Sequence, residues 1–194
     1  VASDNFGISV ATGDVNNDNY NDVIVGAYKA DNGSITNTGK AFIYYGAATM
    51  ATTRTSANVT LMNPDNKIND NFGNSIATGD VNNDTFEDVI VGANWADNGS
   101  VVDVGKVFIY YGSAIMATTL TSANVTLMDP DNKISDNFGI SVAIGDVNND
   151  NFNDVIVGTS WADNGSISNT GKAFIYYGSA TMATTRTSAN ITLT

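Results

Sequence analysis

The chain has 194 residues, 42% of them hydrophobic and 9% aromatic, apolar mass enough to bury a core and to set it apart from disordered sequences. Its formal net charge is −12, from 20 acidic and 8 basic residues, which excludes nucleic acid and anionic membrane surfaces as partners because both require clustered Lys and Arg. It has neither Cys nor His, so disulfides, thiolate metal sites and the commonest general base and zinc ligand are ruled out.

In chain order, Asp4-Asn5-Phe6-Gly7 leads into a first apolar run at 7–12, followed by runs at 22–27, 40–45 and 58–62. Each is rich in Val, Ile, Phe, Tyr or Thr and is bounded by polar turns, so each predicts a strand. Residues 22–27 and 40–45 do not alternate apolar with polar as a sheet with one wet face would, which predicts sheets covered on both sides. The opening tetrapeptide returns as Asp70-Asn71-Phe72-Gly73 and as Asp136-Asn137-Phe138-Gly139, a period of 66 residues. The chain therefore divides into repeats 1–66, 67–132 and 133–194, with roughly three-quarters of aligned positions identical. A four-stranded unit of this length, repeated in tandem and needing cover on both faces, is what a β-propeller blade requires. The predicted fold is all-β, with three tandem four-stranded antiparallel blades.

Between the first two strands of each repeat lies an acidic loop. Asp14, Asn16, Asp18 and Asp22 place side-chain oxygens at loop positions 1, 3, 5 and 9, and Tyr20 offers its main-chain carbonyl at position 7. The second repeat supplies Asp80, Asn82, Asp84, Phe86 and Asp88, and the third Asp146, Asn148, Asp150, Phe152 and Asp154. Calcium is a hard cation that takes six to eight oxygen ligands, and this spacing wraps it. Asp and Asn also populate ordinary turns, but three copies in register favour metal, one calcium per repeat, with the aromatic ring at position 7 packing inward. Magnesium wants a tighter octahedral shell and transition metals prefer nitrogen or sulfur. A strand follows the loop, where an EF-hand has a helix and a bidentate Glu.

Phe6-Gly7, Gly13-Asp14-Val15-Asn16-Asn17-Asp18 and Asp22-Val23-Ile24-Val25-Gly26-Ala27 together resemble the FG-GAP repeat, and the resemblance covers all three repeats. That family forms the integrin α-subunit propeller and many bacterial and fungal extracellular propellers. The resemblance implies a calcium-binding module, extracellular, secreted or on the cell surface, for adhesion or for binding a protein or glycan. It also implies that calcium loops lie on one face, with partners bound at the other, on segments 28–40 and 63–70 and their repeats. Two features depart from the family. Its propellers usually have seven blades, and three cannot close. Loop position 6, often Gly, is here Asn19, Thr85 and Asn151; Asn tolerates a positive φ and Thr does not, so the second loop should either shift its backbone or store strain.

Three blades leave apolar faces open at both ends, which predicts self-association, either two chains closing a six-bladed ring or a head-to-tail array. The alternative is a structural repeat of a longer cell-surface protein or fibre, or an engineered repeat propeller. No nucleophile–base pair is visible, so no enzyme is expected. Trp95 and Trp161, at the position of Lys29, can stack on a sugar or pack on a neighbouring blade. Sequons stand at Asn32, Asn58, Asn83, Asn98, Asn124, Asn164 and Asn190, many of them matches that chance makes in an Asn- and Thr-rich chain; if the source is eukaryotic or archaeal and the chain is secreted, those at Asn58, Asn124 and Asn190 on the outer strand are the candidate glycan acceptors. No run of eighteen apolar residues exists to insert into a membrane. Val1 is neither an initiator Met nor the start of a signal peptide, as expected of a mature chain or an excised piece.

Overall fold

A computed structural model describes residues 3–194; Val1 lies outside the described residues. The described residues form strands and turns without a helix, in three sheets that follow the three repeats. In the first, β1 (Val10–Gly13), β2 (Asp22–Ala27), β3 (Lys40–Tyr44) and β4 (Val59–Met62) pair antiparallel in sequence order. The second is built likewise from β5 (Phe72–Gly79), β6 (Asp88–Ala93), β7 (Lys106–Tyr110) and β9 (Val125–Met128). The third comprises β10 (Ser141–Gly145), β11 (Asp154–Thr159), β12 (Lys172–Tyr176) and β14 (Ile191–Leu193). The apolar runs thus become strands within a few residues of their expected bounds. No helix of the described residues is long and apolar enough to cross a membrane.

Two short strands have no counterpart in the four-strand expectation. β8 (Thr119–Leu120) leaves the second repeat to pair parallel with β4 of the first, and β13 (Thr185–Arg186) leaves the third to pair parallel with β9 of the second. Two residues in a Thr-rich stretch carry no periodicity from which a strand can be read. The first two sheets are consequently five-stranded, while the third ends on β14.

The core lies between sheets. Ile24, Ala41, Ile43, Val59 and Leu61 of the first meet Phe72, Val91, Phe108 and Tyr110 of the second, and one repeat on, Ile90, Val107, Ile109 and Leu127 meet Phe138, Val157, Phe174 and Tyr176. Every residue of β6 and β7 is buried, which is the two-sided cover their unbroken apolar runs require. Phe72 is fully buried, its ring 5.8 Å from Phe108 and 6.1 Å from Tyr110. Its approach depends on Gly39, whose φ is +85° and where a Cβ would lie 2.0 Å from the Phe72 carbonyl oxygen. Hydrogen bonds repeat at each junction: Ser9 Oγ donates to Gly73 O and Ser75 Oγ to Gly139 O, both at 2.7 Å. Tyr110 OH donates to Met62 O at 2.7 Å and Tyr176 OH to Met128 O at 2.6 Å.

Candidate metal centre

The loops between the first and second strands fold alike in all three repeats. Asp14 Oδ1 accepts from the Asp18 backbone N–H at 3.0 Å and Oδ2 from that of Asn19 at 2.8 Å. Asn16 Oδ1 also accepts from Asp18 N at 3.1 Å, and Asp18 Oδ1 accepts from Tyr20 N at 2.9 Å. The same four bonds recur around Asp80, Asn82 and Asp84 and around Asp146, Asn148 and Asp150. Positions 1, 3 and 5 are thereby turned into one tight loop whose amides point at their oxygens.

Position 9 has a further task. Asp22 is fully buried, and its two oxygens accept from Val15 N at 3.0 Å and Gly46 N at 2.8 Å. Asp88 takes Val81 and Gly112, and Asp154 takes Val147 and Gly178, in the same way. This carboxylate therefore ties the loop to the end of the third strand. Burial pushes Asp88 up to about 7 against the pull of its two backbone donors, with Asp84 and Asp80 adding repulsion, and it raises Asp22 in the same sense. A cation beside these loops would reverse that, because positive charge favours the ionised carboxylate.

The donor set is all oxygen and fits a hard cation. Tyr20 at position 7 is 44% exposed, while Phe86 and Phe152 are half-buried. Thr85 keeps the backbone of its neighbours: its φ is 78°, against 69° at Asn19 and 71° at Asn151. The second loop therefore stores strain. Its hydroxyl accepts from Asn17 Nδ2 at 3.1 Å, and Glu87 N donates to Asp14 O at 3.1 Å, so successive loops adjoin.

Away from these loops, Tyr28, Lys29, Asn71, Trp95, Asn137 and Trp161 help line a depression of about 500 Å³. Trp95 is 45% and Trp161 54% exposed, so each keeps about half its surface for solvent or a ligand. Asn58, Asn124 and Asn190 hold the third strand to the fourth, each Oδ1 accepting from the backbone of Tyr45, Tyr111 or Tyr177. Sequence reasoning missed one feature altogether. Asp129, Asp131 and Asp136 place carboxylate oxygens within 4.8 Å of one another, outside the loops. The available signal was Asp129 itself, standing where the preceding repeat has Asn63.

Stacked, mainly antiparallel sheets, each with an Asp/Asn loop between its first two strands, define an all-β tandem-repeat protein. The FG-GAP repeat family matches residues 6–44, 72–110 and 138–176, and the chain belongs to that family. It is similar to integrin alpha-3 of Mus musculus, 34% identical over 110 residues, covering 56% of this chain and 10% of that protein. It is also similar to integrin alpha-5 of Xenopus laevis, 29% identical over 178 residues, covering 89% of this chain and 15% of that protein. With integrin alpha-6 of Homo sapiens it shares 30% identity over 158 residues, 79% of this chain and 12% of that protein. The chain thus spans a small part of these relatives' length.

Proposed function

We propose that the three sheets are blades of a calcium-stapled β-propeller module that serves extracellular adhesion by binding a protein or glycan, without catalysis. The observation that carries this is the loop geometry: three copies present the same oxygens at positions 1, 3, 5 and 9 on the same pattern of backbone donors. Calcium would clamp the first strand to the second in each blade and neutralise the carboxylates gathered there. The depression beside Trp95 and Trp161 is the candidate ligand face, since an indole and side-chain amides suit either a sugar ring or a polypeptide. Isothermal titration of the metal-free chain tests the reading. Asp18→Ala, Asp84→Ala or Asp150→Ala should each remove one calcium and leave the others bound, and absence of calcium uptake by any loop would overturn it.

Two ends of the array favour self-association. Phe6 is 57% exposed whereas Phe72 and Phe138 are fully buried, and Leu193 is 50% exposed whereas Leu61 and Leu127 are fully buried. Each end is half of an interface the chain already forms twice within itself, so a second copy can supply the missing half. Two chains would close six blades, within the range in which propellers close. The second reading, a stretch of a longer surface protein or fibre, covers the same faces with further blades in an open sequence.

A further inference from the structure

The connection from the second sheet to the third differs at one residue from the connection before it. At the first junction Asn63 Nδ2 donates to Asp70 Oδ2 at 2.6 Å, while Asn63 Oδ1 accepts from Asp65 N at 3.1 Å. At the second junction Asp129 stands in place of Asn63, and its Oδ1 accepts from Asp131 N at the same 3.1 Å. Where Asn63 turns an N–H toward a carboxylate, Asp129 therefore turns a second oxygen. Asp129 and Asp136 are each only 3% exposed, and Oδ2 of both is buried with no hydrogen-bond partner among the described residues. Two unpartnered carboxylate oxygens in that position are costly unless something positive joins them.

Among the described residues no basic group pairs with these two oxygens, and Lys133 acts on Asp136 only from a distance. The Lys172 ammonium pairs with Asp131 Oδ2, and Lys133 lies 4.0 Å from Asp163 and remains about half exposed. Oxygens of Asp129, Asp131 and Asp136 all fall within 4.8 Å of one another. A calcium ion bonds oxygen at about 2.3–2.6 Å, so one ion can bridge all three once the site closes by a few tenths of an ångström. The set is hard oxygen with three formal negative charges, which excludes metals that need nitrogen or sulfur. We propose that Asp129, Asp131 and Asp136 form a divalent-cation site of calcium type at the junction of the second and third repeats, separate from the three loops. The ion would join the end of β9 to the segment that opens the third repeat, doing by coordination what the Asn63–Asp70 hydrogen bond does at the first junction.

The test measures calcium bound per 194-residue chain after equilibrium dialysis against calcium chloride. Asp129→Asn restores the side chain that already fits at Asn63, so the variant should fold, which its melting curve checks. It is expected to bind one calcium fewer than the wild-type chain, however many the loops hold. A second variant, with Asp18→Ala, Asp84→Ala and Asp150→Ala combined, should keep one calcium that Asp129→Asn then removes. Loss of one ion on Asp129→Asn with no effect from the loop substitutions would sink the loop reading and leave this site standing. Equal calcium content in Asp129→Asn and the wild type would overturn the proposal, the two buried oxygens then sharing a proton instead.

Discussion

Thr85 shows how one residue records a conflict between loop and side chain. The loop requires a left-handed residue at its sixth position, and a β-branched side chain resists it. Thr85→Asn should therefore stabilise the chain by roughly 1 kcal/mol, with part of that gain offset if the contact with Asn17 is lost. Urea unfolding of the two proteins measures the difference, and a less stable variant would show that the contact outweighs the strain. Asp70 carries a different signature. Burial pushes it up to about 6, with repulsion from Asp65 and Asp97 in the same direction and the Asn63 amide and Lys106 opposing. An unfolded Asp titrates near ~3.9, so between about pH 4 and pH 6 the native chain holds more protons than the unfolded one. Stability from this group is therefore lost as pH rises through that window. Its full extent is on the order of 2–3 kcal/mol. In chelator, Asp70→Asn should lessen the decline in urea midpoint between pH 4 and pH 7; an identical slope in both proteins would refute the assignment.

At the scale of the element, the same motif has two fates according to its neighbours. Phe72 and Phe138 enter pockets prepared by the preceding sheet, whereas Phe6 keeps its ring contacts with Phe42 at 5.8 Å and Tyr44 at 6.3 Å but meets no sheet beyond them among the described residues. Phe72→Ala should cost about 3–5 kcal/mol, as expected of a large ring removed from a packed interior, while Phe6→Ala should stay within about 1 kcal/mol in dilute solution. Thermal unfolding of the pair distinguishes them, and equal losses would mean that Phe6 is buried in solution by something beyond this chain. The parallel strands β8 and β13 make the sheets interdependent, since each fifth strand belongs to the next repeat. Truncating the third repeat therefore removes an edge from the second sheet as well as a neighbour from its face.

For the whole molecule, the proposed self-association through the two open faces is open to direct measurement. Sedimentation at micromolar concentration should give a mass above the monomer, and Phe6→Asp should shift it towards 20.3 kDa, the mass of one chain, because a carboxylate would have to enter an apolar seat. A wild-type chain that sediments as a monomer would remove both the ring and the array. Calcium adds a second lever. An ion that binds only the folded chain stabilises it by mass action, so chelation should lower the melting temperature, and an unchanged curve would deny calcium a structural role.

The strands and the repeat were legible because apolar runs and a 66-residue period are properties of the chain itself. Loop positions 1, 3, 5, 7 and 9 were legible for the same reason, since their spacing is local. What lay beyond the sequence was whatever depends on two segments meeting. The exchange of β8 and β13 rests on hydrogen bonds between repeats, with no side-chain period to announce it. The second task of Asp22, Asp88 and Asp154 appears only once the loop is seen against the end of the third strand. Asp129 and Asp136 are ordinary acidic residues along the chain; burial and mutual approach turn them into an unpartnered pair. The sequence determined where the main strands and the acidic loops of each repeat fall, because their apolar runs and spacings are local; the tertiary structure decided which segments cross between sheets, which faces stay open and which carboxylates lose their water.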